Sequence, residues 1–257
     1  MKFKFLDSLK SLSKDVDRVY GVSTFKQWWI VVSPIIIVVL FAAMLWFRPS
    51  RELGRLMLKE NQTVELLTFA VLLMGSIVGL RLAIWLLKRG ESHLVAGFYL
   101  VFALALGLIA MEEIAWGQWF LGFKTLPAWE AINAQGEMTL HNVRPIHGKT
   151  EILRILFGVG GIIGILLMRV RRFRKVGACV LLLPWFLIIV SHASIDLYDD
   201  FGTMLSRFKY WIGRTAELIE LLIAIAGLLY LTLNRRMLQS QSARSSDPVS
   251  LSCASFH

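Results

Sequence analysis

Six long apolar runs, separated by short polar segments, dominate the pattern along this chain. A helix needs roughly 20 apolar residues to cross a hydrocarbon core of about 30 Å, and each run has about that length. The pattern therefore predicts an all-α, polytopic integral membrane protein with about six transmembrane helices in one domain, residues 28–234. The predicted spans are residues 28–47, 62–87, 94–115, 152–168, 176–197 and 210–233.

The two ends of the chain show different patterns. In residues 1–27, apolar positions recur at helical spacing among six lysines and arginines, which predicts a basic amphipathic helix on the membrane surface. Residues 235–257 are rich in serine and carry no apolar period, which predicts a disordered tail. On this basis the tail is expected to be dispensable for stability.

Composition agrees with a membrane protein, since 56% of the residues are hydrophobic and the mean hydropathy is +0.61. The net charge of +10 would favour nucleic acid as the partner of a soluble protein. Here the basic residues lie mainly between the spans, so we expect membrane lipids as partners and no nucleic acid.

The distribution of basic residues predicts the orientation in the membrane. Six spans place both termini on one side, and that side carries sixteen lysines and arginines against ten on the other. The positive-inside rule then places both termini in the cytoplasm of a bacterial inner membrane. The long connection at residues 116–150 falls on the outer side.

Polar side chains at the span ends fall mostly on that outer side, which predicts a functional site there. The candidate acid/base residues are Glu112, Glu113, Glu137, Glu217 and Glu220. The candidate substrate-binding residues are Gln118, Asn133, Gln135, Asn142 and Arg214. The candidate metal ligands are His141, His192 and Asp196.

Spacing supports these candidates. His192 and Asp196 are four residues apart and can bind one divalent metal from a helix face, with zinc favoured. Carboxylates at a membrane interface can also act as general acid and base. Under an alternative explanation these acids have a structural role only. Glu112 or Glu113 then pairs with Arg154 or Arg214 and fixes helix packing.

Two short motifs carry a local resemblance. Glu-Glu-x-x-Trp-Gly-Gln at residues 112–118 and Asn-x-Gln-x-Glu-x-x-Leu-His-Asn at residues 133–142 resemble strings in uncharacterised bacterial multi-pass membrane proteins. This resemblance implies that the two stretches form one unit and implies no reaction. The mixture of histidines, acids and serine is also loosely similar to the intramembrane metal hydrolases that include ceramidases, but their histidine spacing is missing here.

Three functions are compatible with the pattern. The first is a membrane enzyme that hydrolyses or transfers a group of a lipid or lipid-linked substrate at the outer leaflet boundary. The second is a proton- or cation-coupled transporter, although transporters commonly place their sites near the membrane midplane. The third is a non-catalytic assembly subunit. The first predicts that Glu113, Glu137, His141 and Glu217 line one pocket, with His192 and Asp196 at its wall.

Overall fold

The computed structural model describes residues 2–59, 62–134, 136–140, 142–144, 150–201 and 206–246. Within these residues the regular structure is helical, apart from one isolated bridge between Asn133 and Val143. The helices are α1 (Lys2–Tyr20), α2 (Thr24–Trp46), α3 (Arg51–Met57), α4 (Thr63–Lys88), α5 (His93–Glu113), α6 (Gln118–Leu121), α7 (Pro127–Glu130), α8 (Thr150–Leu167), α9 (Leu183–Phe201) and α10 (Ser206–Ser246).

The predicted fold class is confirmed. In the described part of the chain, six helical segments are long and apolar enough to cross a membrane: α2, α4, α5, α8, α9 with the short 3₁₀ turn before it, and the central part of α10. Large apolar side chains that point away from the bundle, such as Leu73, Val101 and Leu156, are exposed. In a membrane-spanning bundle these positions face lipid, so their exposure carries no penalty.

The helices pack in two groups. α4 and α5 form an antiparallel hairpin against which α10 packs, whereas α8 pairs mainly with α9. Small residues permit these close approaches. A Cβ at Gly79 of α4 would lie 2.7 Å from that of Ala103, and one at Gly158 of α8 would lie 2.5 Å from Val190 Cγ2. α9 joins the two groups through its contacts with α10.

The segment before α9 differs from the prediction. The fifth span was expected to begin at residue 176, but residues 177–179 are non-helical and α9 begins at Leu183. Pro184 therefore lies in the first turn, where the missing N–H costs no hydrogen bond, and not inside the helix. Tyr99 and Tyr230 donate hydrogen bonds to the carbonyls of Lys175 and Val176, at 2.6 and 2.7 Å. These side chains replace helical partners for the extended backbone.

The C-terminal segment also differs from the prediction. α10 continues to Ser246, twelve residues past the predicted boundary at Asn234, so the start of the segment expected to be disordered is helical. The reason is packing, because Met237 is 0% and Leu238 is 3% exposed in the main core. Residues 247–257 lie outside the described residues.

The N-terminal helix forms as predicted and is also docked onto the bundle. Val16 and Tyr20 of α1 are buried in the main core, and the Tyr20 hydroxyl contacts the Met168 sulfur at 3.7 Å. α1 contacts α10, where Ser240 Oγ donates to the Val19 carbonyl at 3.4 Å. Lys10 and Lys14 remain exposed on the face of α1 that points away from the bundle, so this face carries their positive charges.

Candidate functional site

Charged side chains from five helices meet at one end of the bundle. The antiparallel order brings together the N-terminal ends of α4 and α8, the C-terminal ends of α5 and α9, and the N-terminal half of the apolar part of α10. We call this group the charged cluster. It consists of Glu65, Glu113, Glu151, Arg154, Asp196, Glu217 and Glu220.

Arg154 of α8 joins three helices within the charged cluster. Its Nη1 lies 3.3 Å from Asp196 Oδ2 on α9, and its Nη2 lies 2.7 Å from Glu220 Oε1 on α10. The guanidinium side chain is 9% exposed, so these are largely desolvated ion pairs. Separating such a pair costs free energy, because losing either partner leaves a charge in an apolar environment.

Glu113 is the acid at the centre of the charged cluster. It is 9% exposed at the last turn of α5 and interacts electrostatically with Glu220, Glu217 and Glu65 as well as with Arg154. The pairing expected for helix packing was Glu112 or Glu113 with Arg154 or Arg214. The structure gives two hydrogen-bonded ion pairs of Arg154, to Asp196 and Glu220, and Arg154 also interacts electrostatically with Glu113.

Three buried polar atoms in or beside the charged cluster have no hydrogen-bond partner among the described residues. They are Glu151 Oε2, Arg154 Nε and His192 Nδ1. Buried polar atoms are paired in the great majority of cases, and the exceptions concentrate at sites that bind water, ions or substrate. An acceptor on Glu151, a donor on Arg154 and a ring nitrogen of His192 therefore have no described partner at this end of the bundle.

His192 lies on α9, one turn before Asp196, and reaches across to α10. Its Nε2 lies 2.8 Å from Thr215 Oγ1. The charge of Arg154 is near enough to interact with the imidazole, so the histidine adjoins the charged cluster. The structure thus brings the predicted pair His192 and Asp196 to the same helical end as Glu113 and Glu217.

Glu112 has a different environment from its neighbour. Its Oε1 accepts a hydrogen bond from Trp116 Nε1 at 2.6 Å, and its Oε2 accepts one from the Leu140 backbone N–H, also at 2.6 Å. Hydrogen bonds from N–H donors stabilise the ionised carboxylate. Glu112 therefore holds the connection that follows α5 against the end of that helix. This geometry favours a structural role for Glu112 over acid/base work.

The backbone after α5 reverses sharply. Ala115, Trp116 and Gly117 have φ values of 45°, 57° and 86°, so three successive residues adopt left-handed conformations. For residues with a Cβ this conformation costs of order 1 to 3 kcal/mol and persists only where the surroundings enforce it. The hydrogen bond from Trp116 to Glu112 supplies part of that enforcement and holds the reversed chain against the end of α5.

The predicted substrate-binding amides form hydrogen bonds within the connection that follows α5. Gln118 donates to Thr125 Oγ1 at 2.9 Å and accepts from the Met138 N–H at 3.1 Å. Asn133 is buried, donates to the Thr139 carbonyl at 2.8 Å and accepts from the Glu137 N–H at 3.2 Å. These contacts hold the described residues of the connection together.

Asn142 and Arg214 complete the described substrate-binding candidates. Asn142 lies in the connection that follows α5 and is buried, and its carbonyl accepts a hydrogen bond from the Ala134 N–H at 2.7 Å. Arg214 is half-buried on α10 and interacts with other residues.

Part of the predicted site lies outside the described residues. Gln135 and His141 fall there, so their assignments stay predictions. Glu137 is described, and its backbone joins the Asn133 network. In the part of the chain that the structure describes, no group of three or more His, Cys, Asp or Glu side chains is arranged to hold a metal ion. Because His141 is not among those residues, the zinc site also stays a prediction.

Sequence reasoning did not select Arg154, Glu65, Glu151 or Thr215 as site residues. Glu151 and Arg154 are three apart at the end of a span, so they share a helix face, and that signal was present in the sequence. Thr215 gives no signal of its own in the sequence, because a threonine inside an apolar helix is common and ordinarily bonds its own backbone.

No protein-family model, curated protein or solved structure matches the chain.

Proposed function

We propose that this chain is a membrane-embedded enzyme that acts on a lipid or lipid-linked substrate at the outer leaflet boundary, by hydrolysis or group transfer. The observation that supports the proposal is the set of unpartnered buried atoms, Glu151 Oε2, Arg154 Nε and His192 Nδ1, beside a buried carboxylate. Acceptors, a donor and an acid at one depth are what a polar headgroup requires for binding and proton transfer.

Each group has a role that follows from its position. Glu113 is the acid/base residue, because it is buried and its neighbours Glu217 and Glu220 make its protonation state sensitive to substrate charge. Arg154 holds α8, α9 and α10 in register and directs Nε toward the headgroup. The outer connection, fastened by Glu112, limits the access of water to the reacting atoms.

A divalent metal, with zinc favoured, remains part of the proposal through His141, His192 and Asp196. The observation that bears on it is the buried Nδ1 of His192, which has no partner among the described residues, since a neutral imidazole nitrogen is a common zinc ligand. Metal analysis of the purified protein tests this directly. Zinc at one equivalent in the wild type, lost in His141→Ala, supports the site, and a metal-free active protein overturns it.

The enzyme proposal is tested by lipid turnover. The purified protein is reconstituted into vesicles of a total bacterial phospholipid extract, and the lipids are followed by mass spectrometry. We expect a product lipid with the wild type and with Glu52→Gln, an exposed acid at the same end of the bundle. Glu113→Gln should form no product while remaining folded and inserted. Turnover that survives in Glu113→Gln, or its absence from every preparation, would refute the proposal.

A second candidate function is a proton- or cation-coupled transporter. The observation that favours it is the meeting of carboxylates from five helices at one end of the bundle. Like charges in a weakly solvated site require protons or cations. The same vesicles loaded with a pH-sensitive dye test it, since flux that is lost in Glu113→Gln, without lipid turnover, selects this function. A stably co-purifying protein, with neither activity, selects the assembly subunit.

We also propose that the protein lies in a bacterial cytoplasmic membrane with both termini in the cytoplasm. Support comes from the excess of basic residues on one side of the predicted spans. Reporter fusions after Asn61, Pro127 and Thr203 should all report the outer side. A cytoplasmic signal from the fusion after Pro127 would invert both the topology and the side of the site.

A further inference from the structure

The contact between His192 and Thr215 bears on which imidazole nitrogen carries a proton. Thr215 Oγ1 lies 3.0 Å from the Trp211 carbonyl and 3.0 Å from the Ile212 carbonyl, one turn back on α10. A threonine hydroxyl has a single proton, and inside a helix that proton ordinarily goes to such a carbonyl. The lone pairs of Oγ1 then remain to accept a hydrogen bond from His192.

If the Thr215 hydroxyl proton goes to a backbone carbonyl, Nε2 takes part in this contact as an N–H donor. In a neutral imidazole with Nε2 protonated, Nδ1 carries the lone pair.

We propose that Thr215 is a positioning residue that fixes His192 in its Nε2–H tautomer and leaves Nδ1 as a hydrogen-bond acceptor beside the charged cluster. Nδ1 is buried and has no partner among the described residues, so nothing described there competes for its lone pair. The ligand class that fits is an O–H donor, such as a headgroup hydroxyl of the substrate. Direct coordination of a zinc ion uses the same lone pair and is a distinguishable outcome of the test.

The use of Nδ1 for substrate rests on the proposed function, whereas the tautomer does not. The test therefore begins with a spectroscopic readout that needs no substrate. The full-length protein is labelled with ¹⁵N-histidine and reconstituted into lipid nanodiscs, and the His192 signals are assigned by difference from His192→Gln. Nitrogen chemical shifts separate a protonated nitrogen from one with a free lone pair.

We expect the wild type to show a protonated Nε2 and a bare Nδ1. Thr215→Val is nearly isosteric and removes the acceptor, so it should give a mixture of tautomers, and Thr215→Ser should restore the wild-type spectrum. A merely structural threonine would leave the tautomer unchanged in Thr215→Val. That result, or a wild-type spectrum with Nδ1 protonated, overturns the proposal. If Thr215→Val fails to fold, Thr215→Ala, which also lacks the hydroxyl, takes its place in the comparison.

Two further readouts separate the possible ligands. Added zinc that shifts the assigned Nδ1 signal of His192 in the wild type would replace the O–H donor by a metal. If lipid turnover is observed, Thr215→Val should raise KM several-fold with a smaller effect on kcat, because the acceptor positions substrate. A fixed tautomer without lipid turnover would leave the positioning role intact and refute the proposed function alone.

Discussion

Replacing Arg154 by methionine tests whether the charged cluster is a buried electrostatic unit. Arg154→Met keeps most of the side chain's length and apolar contact but removes the charge shared by Asp196 and Glu220. Those two side chains are only 17% and 27% exposed, so solvent does not replace the lost partner well. Removing one member of a buried ion pair typically costs about 3 to 5 kcal/mol. We expect a loss in this range, because two carboxylates lose their counter-ion together.

The assay is reversible denaturant unfolding in mixed micelles, followed by circular dichroism and tryptophan fluorescence. A matched control is the ion pair of Arg55 with Glu52, which has a similar length of 2.9 Å but a 76% exposed carboxylate. Exposed pairs contribute about 0 to 1 kcal/mol, so Glu52→Gln should change the free energy of unfolding by less than about 1 kcal/mol.

A triple variant distinguishes electrostatics from packing. In Arg154→Met with Asp196→Asn and Glu220→Gln, the two carboxylates that lost their partner are neutral as well. Replacing a whole buried charge network by neutral groups is often tolerated, so the triple variant should recover most of the lost stability. A loss below about 1 kcal/mol in Arg154→Met, or a triple variant no more stable than the single one, would refute the reasoning.

Three further predictions concern the rest of the bundle. Gly158→Ala should destabilise the α8–α9 pair by about 1 to 3 kcal/mol, because its Cβ would lie 2.5 Å from a valine methyl, whereas Gly160→Ala meets nothing within 4 Å and should be neutral or slightly stabilising. Burial raises the pKa of Cys179 to about 11, which leaves about a thousandth of it as thiolate at pH 8. In a variant with the other cysteine changed to serine, maleimide should therefore label native protein far more slowly than unfolded protein. Truncation after Asn234 should lower stability by about 2 to 5 kcal/mol, because it removes the buried Met237, and an unchanged melting temperature would contradict that packing.

The spans could be predicted from the sequence because the bilayer sets their length. A run such as residues 62–87 has one stable solution in hydrocarbon, a helix that satisfies its own backbone, and the structure gives Thr63–Lys88. Ends that depend on tertiary contacts could not be predicted in this way. Residues 177–179 remain non-helical because side chains from α5 and α10 support this segment. α10 runs past Asn234 because apolar residues there find a partner in α1.

The candidate site likewise has features that the sequence predicts and features that depend on tertiary contacts. Topology alone places Glu113, Glu217 and Glu220 at one depth, since it depends only on the order of the spans. Which side chain each acid meets depends on helix rotation, which hydropathy does not determine. The sequence therefore did not identify Arg154, which joins three helices, or Thr215, which contacts His192, as site residues. Both nevertheless lie on predicted spans. Glu112 and Glu113 are adjacent in sequence, but the left-handed turn after α5 brings Trp116 to Glu112, and hydropathy does not predict that turn.

The order of the helices in the charged cluster has a consequence for biosynthesis. Glu65 and Glu113 emerge from the ribosome with α4 and α5, long before Arg154 on α8 and the acids of α10. Until α8 is inserted, the acid at the end of α5 has none of the partners it has in the folded protein except another carboxylate. The cost of that interval is limited because Glu113 is the last residue of α5 and can stay at the hydrated interface. The charged cluster is therefore assembled last, when α10 closes the bundle, and chains interrupted before this helix carry a helix end adapted to partners that have not yet been made.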